Sequence, residues 1–220
     1  MRFYEFESKQ ILAKAGIPLP KSRFCKTSDE VAAAAFDIGG PVVIKSQVLS
    51  GGRMKAGGVK FADSPGEAAE HAKAILALRI NHLLPVGVLV EEKRGIAQEY
   101  YAAVTWDGRA KKPLIIFSDM GGIDIEEVAE RHPEHLSRTH FSASRPFSDY
   151  VAKNAVASVG VTGNDLNALT RIVGGLARVF LDRDMTLAEI NPIGKLDDGS
   201  IIALDAHMDM ESEEIGRAHV

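Results

Sequence analysis

Two stretches far apart in the chain carry side chains whose types and spacing could do chemistry. The first follows the β-branched run Val42, Val43 and Ile44. It consists of Lys45, then Gly51, Gly52, Gly57 and Gly58, with Arg53, Lys55 and Lys60 set among or just after them. Glycines let backbone N–H groups approach an anion closely, and the basic side chains offset its charge, so the pattern suits a polyphosphate. It is not a P-loop. Counted from Gly52 the spacing reaches Gly57, but Gly58-Val59 stands where Lys-Ser/Thr is required. A strand, Val59 to Phe61, follows in place of a helix, which also excludes a dinucleotide fingerprint. What remains is a strand–glycine loop–strand unit that can cover phosphates; an ordinary flexible hairpin with solvated charges is the competing description.

The second stretch is a hairpin. Leu187 to Ile193 and Ile201 to His207 flank Asp197-Asp198-Gly199, a three-residue turn with glycine in the left-handed position. Pairing about Asp198 sets Asn191 opposite Asp205 and Glu189 opposite His207, with all four side chains on one face. Opposed Cβ atoms in such a pair lie roughly 4.5–5.5 Å apart. Two carboxylates and an amide oxygen in that space are a small set of hard ligands, suited to Mg²⁺ held jointly with phosphates. Pro192 and Gly194 permit a bulge that would shift the facing pairs by one residue. An exposed polar hairpin face is the alternative. Against it, Ala188, Ile190, Ala203 and Leu204 surround the polar groups with apolar neighbours, where close carboxylates need a cation. Other candidates weigh less: His132 and His135 flank Pro133 at a helix end and read as solvated, while Cys25, Met208 and Met210 read as packing.

The elements that must position these groups are legible from period and capping. Glu5 to Ala15 is predicted helical and stops at Gly16; Thr27 with Glu30 forms a capping box for a helix ending at Gly39-Gly40. Ser64, Pro65 and Glu67 start a third helix that runs to about Leu78. Strands are expected at Val86–Val90, Gln98–Thr105 and Pro113–Phe117, followed by a second glycine loop, Asp119 to Gly122. A helix capped by Asp124 stops near Pro133, His140 to Arg145 reads as loop, and a further helix runs to about Val159. Thr162 or Asn164 caps the longest helix, whose Leu166, Leu169, Val173, Leu176 and Phe180 form a core-facing stripe.

Composition bounds the rest. With 220 residues, 45% of them hydrophobic, the chain can bury a sizeable core in one large or two small domains. A net charge of −4 gives no general attraction for nucleic acid or a membrane surface. The single cysteine excludes a disulfide framework within the chain and fits a reducing compartment, so a cytoplasmic location is expected. No apolar run approaches a membrane span, and the first residues do not read as a signal peptide.

Five stretches together resemble the beta chain of succinate–CoA ligase: Glu5–Pro20, Lys45–Lys60 (with GGRMKAGGVK), Leu89–Tyr101, Met120–Glu130 and Leu187–Asp205 (with EINP). The resemblance runs to about His207 and implies an α+β ATP-grasp fold, two interleaved α/β lobes whose antiparallel sheets clamp the nucleotide. The smaller lobe would span residues 21–93, and the larger would combine 1–20 with 94–213. It further implies that Lys45 and Gly52-Arg53-Met54 bind the nucleotide phosphates, with Lys45 and Arg53 able to stabilise transferring charge. Glu91, Arg94 and Glu99 would line the adenosine and ribose. Asn191 and Asp205 would hold Mg²⁺, with Glu189 nearby. The implied reaction converts ATP or GTP, a small carboxylate and CoA to an acyl-CoA, the nucleoside diphosphate and phosphate. The phosphoryl group travels on a histidine of a separate CoA-binding alpha subunit, so no nucleophile is required here.

Some positions depart from the pattern. Met54 replaces the glycine usual after the loop arginine, His207 stands in place of a lysine, and the segment between Leu78 and Val86 is short. Malate–CoA ligase, acetate–CoA ligase and the amino-terminal region of ATP-citrate lyase are similar alternatives, as is a nucleotide-binding module without turnover. The expected second α/β domain does not follow the hairpin, and Glu214–Val220 resembles the translation of a sequencing adapter. A truncated frame with a non-native tail is therefore expected.

Overall fold

The computed structural model describes residues 1–211; the expected non-native tail at 214–220 lies outside the described residues. The chain forms two compact units, one of Pro20–Gly95 and one of Met1–Leu19 together with the chain from Ile96 on.

Helix α1 (Glu5–Lys14) opens the chain, its first turn closed by the Glu7 carboxylate, which accepts from the Tyr4 N–H. The unit of Pro20–Gly95 then runs β1 (Ser22–Cys25), α2 (Ser28–Ile38), β2 (Val42–Ser46), β3 (Val59–Ala62), α3 (Pro65–Leu76) and β4 (Val88–Glu92). The caps act as their residue types dictate. Thr27 Oγ1 accepts from the Glu30 N–H and Ser64 Oγ from the Glu67 N–H, while Gly39 ends α2 with a left-handed φ of 78°. The sheet is antiparallel, in the order β1-β4-β2-β3. Val42, Ile44, Val88 and Val90 point to one face and pack on the alanines and Val31 of α2 and on Ala68, Ala72 and Ile75 of α3. Small helix residues let the backbones come close to the sheet, so a unit this size can still close a core.

Strand β4 starts two residues later than its hydrophobic run suggests. Val86 N–H donates to the Gln47 carbonyl, and Gly87 is pressed against the Phe24 ring and Cys25 carbonyl, so the ladder with β1 begins only at Val88. Glu91 and Glu92 therefore lie inside the strand.

The other unit continues with β5 (Ile96–Asp107), β6 (Lys112–Ser118), α4 (Ile125–Arg131), β7 (Leu136–His140), α5 (Asp149–Ala157), α6 (Gly163–Asp182), β8 (Met185–Leu196), β9 (Ile201–Ala203) and β10 (Ala206–Met210). Its antiparallel sheet has the order β10-β8-β5-β6-β7, with β9 also on β8. Leu169, Val173, Leu176 and Phe180 of α6 are fully buried against one face, beside Tyr100, Ala102, Val104, Ala188, Ile190 and Met208, and Leu12 of α1 joins the same core. The opposite face carries the polar residues of β8 and β10. Strands β1 and β7 are additions to the expected elements, and β7 takes in His140, which reads as loop in the sequence. Both are short, polar edge strands, stabilised by pairing with β4 and β6 rather than by their own composition.

Candidate functional site

On the smaller sheet, Lys45 pairs with Leu89 and Val43 with Glu91, so the Lys45 and Glu91 side chains are diagonal neighbours on the face turned away from the core. Lys45 Nζ and Glu91 Oε2 are 2.6 Å apart. Glu91 is almost sealed, 1% exposed, so its charge is matched at close range by a lysine that keeps some access to solvent. The glycine loop after β2 is a folded turn. Ala56 N–H donates to the Gly52 carbonyl and Gly58 N–H to the Arg53 carbonyl (2.8 Å), with Gly52 and Gly57 at φ of 75° and 80°. Arg53 Nη1 donates to the Ser46 carbonyl at 3.2 Å, fastening the turn to β2, while the Met54 side chain is exposed. Arg94 Nη1 lies 3.5 Å from Glu92 Oε1.

The larger sheet holds a paired irregularity. Along β8 the buried residues Ile190 and Ile193 are separated by two residues, Asn191 and Pro192; opposite them Ala203 and Ala206 are separated by Leu204 and Asp205. Strict alternation would permit one residue in each gap. Both strands slip together, so the register is the same on either side of the break: Ile193 faces Ala203 and Ile190 faces Ala206. Asn191 N–H donates to the Asp205 carbonyl and Leu204 N–H to the Pro192 carbonyl. The bulge that Pro192 permits falls on the β5 side, where Asn191 and Pro192 together oppose the single residue Tyr101. Glu189 faces His207 directly. Glu189, Asn191, Asp205 and His207 thus lie off the buried core face, with Ala188, Ile190, Ala206 and Met208 beneath them.

A glycine loop shapes the face further. Gly122 N–H donates to Asn191 Oδ1 at 2.9 Å, and Asn191 Nδ2 donates to the Ile123 carbonyl, which fixes which end of the amide is the oxygen. A Cβ on Gly121 would overlap the Tyr100 backbone and one on Gly122 would overlap the Glu99 carboxylate, so Glu99 sits directly against this loop. Tyr101 hydroxyl donates to Glu189 Oε2 at 3.1 Å. Burial pushes the Glu189 carboxyl above its usual range; the Tyr101 hydrogen bond opposes this, and the charges of Asp205, Glu126 and Asp124 add to it. Burial, then Glu189's charge, holds the Tyr101 phenol well above its usual range.

A hard divalent cation fits this face. Its donors are carboxylate and amide oxygens, and both the burial and the neighbouring negative charges that raise Glu189 are offset by a cation beside it. Among the described residues no three His, Cys, Asp or Glu side chains form a metal cluster, so Asn191 and oxygens from outside the protein would complete the shell. His132 and His135 form no such pair either: their rings meet edge to face, and His135 Nδ1 is 2.8 Å from Asp119.

Within one unit the structure thus gathers Lys45, Glu91 and the Gly52–Met54 turn on the small sheet. Within the other, Asn191 and Glu99 lie against the Gly121–Gly122 loop, with Asp205 paired to Asn191 and Glu189 on the same strand. Tyr101 and Glu126, which carry no motif in the sequence, and Asp124, which reads there only as a helix cap, also act on Glu189. The available signal for Tyr101 was its position on the same face of β5 as Ala103, which pairs with Glu189.

One antiparallel sheet with a lysine beside a glycine turn, and a second antiparallel sheet carrying carboxylate and amide side chains, make up an α+β architecture. The chain belongs to the ATP-grasp family, whose domain model matches residues 2–195. It is 40% identical over 217 residues to the GDP-forming succinate–CoA ligase subunit beta of Thermus thermophilus, covering 99% of this chain and 57% of that protein. It is 37% identical over 213 residues to the ADP-forming subunit beta of Methanocaldococcus jannaschii, covering 97% and 58%. The chain therefore spans a little over half the length of these relatives. Among solved structures, the dinucleotide-forming acetyl-coenzyme A synthetase 1 of Ca. Korarchaeum cryptofilum shares the fold with a TM-score of 0.75 at 19% identity, over 96% of this chain and 93% of that one. ATP citrate lyase from Methanothrix soehngenii does so at 0.73 and 18%, over 97% and 52%. Among the described residues no helix is long and apolar enough to cross a membrane.

Proposed function

We propose that this chain is the nucleotide-binding part of an acid–thiol ligase of the succinate–CoA ligase type. It would bind a magnesium nucleoside triphosphate and support phosphoryl transfer to a histidine on a partner alpha subunit that also binds CoA. The observation that carries this reading is the paired break in β8 and in β9–β10, which sets Asn191 against Asp205 on the face of an ATP-grasp sheet, with Glu189 beside them. Asn191 and Asp205, with Glu189, would hold Mg²⁺. The ion when bound neutralises phosphate charge.

Lys45, held by Glu91, and the Gly52–Met54 turn would bind phosphates. The turn offers backbone N–H groups and Arg53, whose planar fork suits phosphate oxygens. Glu91, Arg94 and Glu99 would border the nucleoside. Positioning and electrostatics are the whole of this chain's task, since phosphoryl transfer asks little covalent chemistry of the protein. The relatives are named as ADP-forming and GDP-forming, so both ATP and GTP are candidate substrates. Succinate is the acid substrate, the source of the acyl group, that the relatives' names favour.

The test supplies the chain with an alpha subunit of this family, Mg²⁺, and γ-labelled ATP or GTP in parallel. Label on an alpha-subunit histidine supports the reading; nucleotide binding without transfer would reduce it to a binding module. Lys45→Met and Asp205→Asn should each weaken Mg–nucleotide binding about tenfold or more, measured by calorimetry. Unchanged affinity in both would overturn the assignment.

A further inference from the structure

The break between β9 and β10 places the Leu204–Asp205 peptide outside the regular ladder, and helix α1 reaches it there. Lys9 Nζ donates to the Leu204 carbonyl at 2.7 Å and is 2.9 Å from Glu5 Oε1 one turn earlier. Both charged residues are buried, Lys9 at 3% exposure and Glu5 at 5%, beside the core residue Leu12. An i, i+4 Glu–Lys pair on a helix is ordinarily solvated and worth a few tenths of a kcal/mol. Sealing it from water removes hydration that the pair's own attraction repays only with good geometry, and apolar residues of like size often serve stability as well or better. Its position points to another task. The carbonyl it holds belongs to the peptide bond that leads into Asp205, so the lysine sets the orientation of that peptide, and with it the direction in which Asp205 leaves the backbone. Asp205 Oδ1 in turn accepts from the Ala206 N–H at 2.8 Å, on the far side of the same break.

We infer that Lys9, oriented by Glu5, is a positioning residue for Asp205: a charge-assisted tie from the N-terminal helix that locks the broken strand in the geometry the cation site requires. The inference rests on the proposed role of Asp205 as a metal ligand. Lys9 acts on the site through the Leu204 carbonyl.

Lys9→Met alone would strand a buried Glu5 carboxylate and risks unfolding the chain, so the decisive variant is Glu5→Met/Lys9→Met, which replaces the pair with apolar residues. The full chain is titrated with Mn²⁺ in saturating ATP and followed by electron paramagnetic resonance, beside ATP binding without divalent metal and the thermal midpoint. The expected result is a midpoint near that of the parent, metal-free ATP affinity unchanged, and Mn²⁺ affinity lower by about tenfold, the scale of groups that orient metal ligands. Parent-like Mn²⁺ affinity in the folded double variant overturns the inference. Asp205→Asn separates the two failures. If it loses Mn²⁺ while the double variant does not, only the positioning role falls. If it too binds Mn²⁺ like the parent, the metal-site reading fails and the Lys9 inference with it. A double variant that does not fold identifies the pair as structural and equally overturns the inference.

Discussion

Glu189 is the residue at which the electrostatics of the open sheet face converge. Its carboxyl is raised by burial and by the carboxylates around it, so the folded chain binds a proton there that the unfolded chain has already released. The sign follows. A raised carboxyl contributes stability that is present below the usual value of 4.5 and is lost as pH rises through the folded value. In the absence of divalent cations, Glu189→Gln should therefore be more stable than the parent near neutral pH. The gap should close as pH falls to 4.5 and below, which urea midpoints measured across that range would check. A gap independent of pH would contradict the desolvated, crowded carboxylate described here. On the proposed cation-binding role of Glu189, adding Mg²⁺ should reverse the comparison, because a bound cation would stabilise the ionised parent and would find one ligand fewer in the variant.

At the scale of elements, the two glycine segments do different work. Gly58 ends the turn after β2, and a Cβ there would lie 2.5 Å from Ser46 Oγ and 2.6 Å from Ile80 Cδ1. The two closest are side-chain ends, and the nearest backbone atom, the Arg53 carbonyl oxygen, is 3.1 Å away, so Gly58→Ala should be the milder change. Gly121 lies on the backbone of Tyr100, which cannot move without disturbing the β5 ladder. Gly121→Ala should cost about 1–3 kcal/mol, the range for overpacking, in denaturant unfolding. It should also weaken Mg–nucleotide binding, because the same loop donates to Asn191 Oδ1 through Gly122. An unfolding midpoint equal to that of Gly58→Ala, with parental nucleotide affinity, would show that the loop does not govern Asn191.

At the scale of the molecule, two cores are separately closed, one around Ile44, Val90 and Ile75, the other around α6. Truncating a buried aliphatic side chain removes contacts within its own core only. Ile44→Ala and Leu176→Ala should each cost about 2–5 kcal/mol. Hydrogen exchange read by peptide should rise chiefly in residues 20–95 for the first and outside them for the second. Equal acceleration along the whole chain in both variants would mean that the two units unfold as one.

Local chemistry was enough for much of this. Thr27, Ser64 and Gly39 mark helix ends because a side-chain oxygen or a left-handed glycine satisfies its neighbours whatever surrounds it. The α6 stripe repeats with the helix period, and the Asp197-Asp198-Gly199 turn sets the register that carries Glu189 to His207. Lys45 and Asp205 are legible as candidates because their types and spacing fit a phosphate and a cation. Tertiary structure decided what depends on partners distant in sequence. Strands β1 and β7 exist because β4 and β6 offer them a ladder. The break at Asn191-Pro192 keeps its register only because Leu204-Asp205 slips with it, a match that neither strand encodes alone. Glu5 and Lys9 would read as a solvated pair on any isolated helix. Burial against the larger sheet converts them into a tie on the Leu204 carbonyl, because desolvation, not sequence spacing, determines what a buried charge must hold.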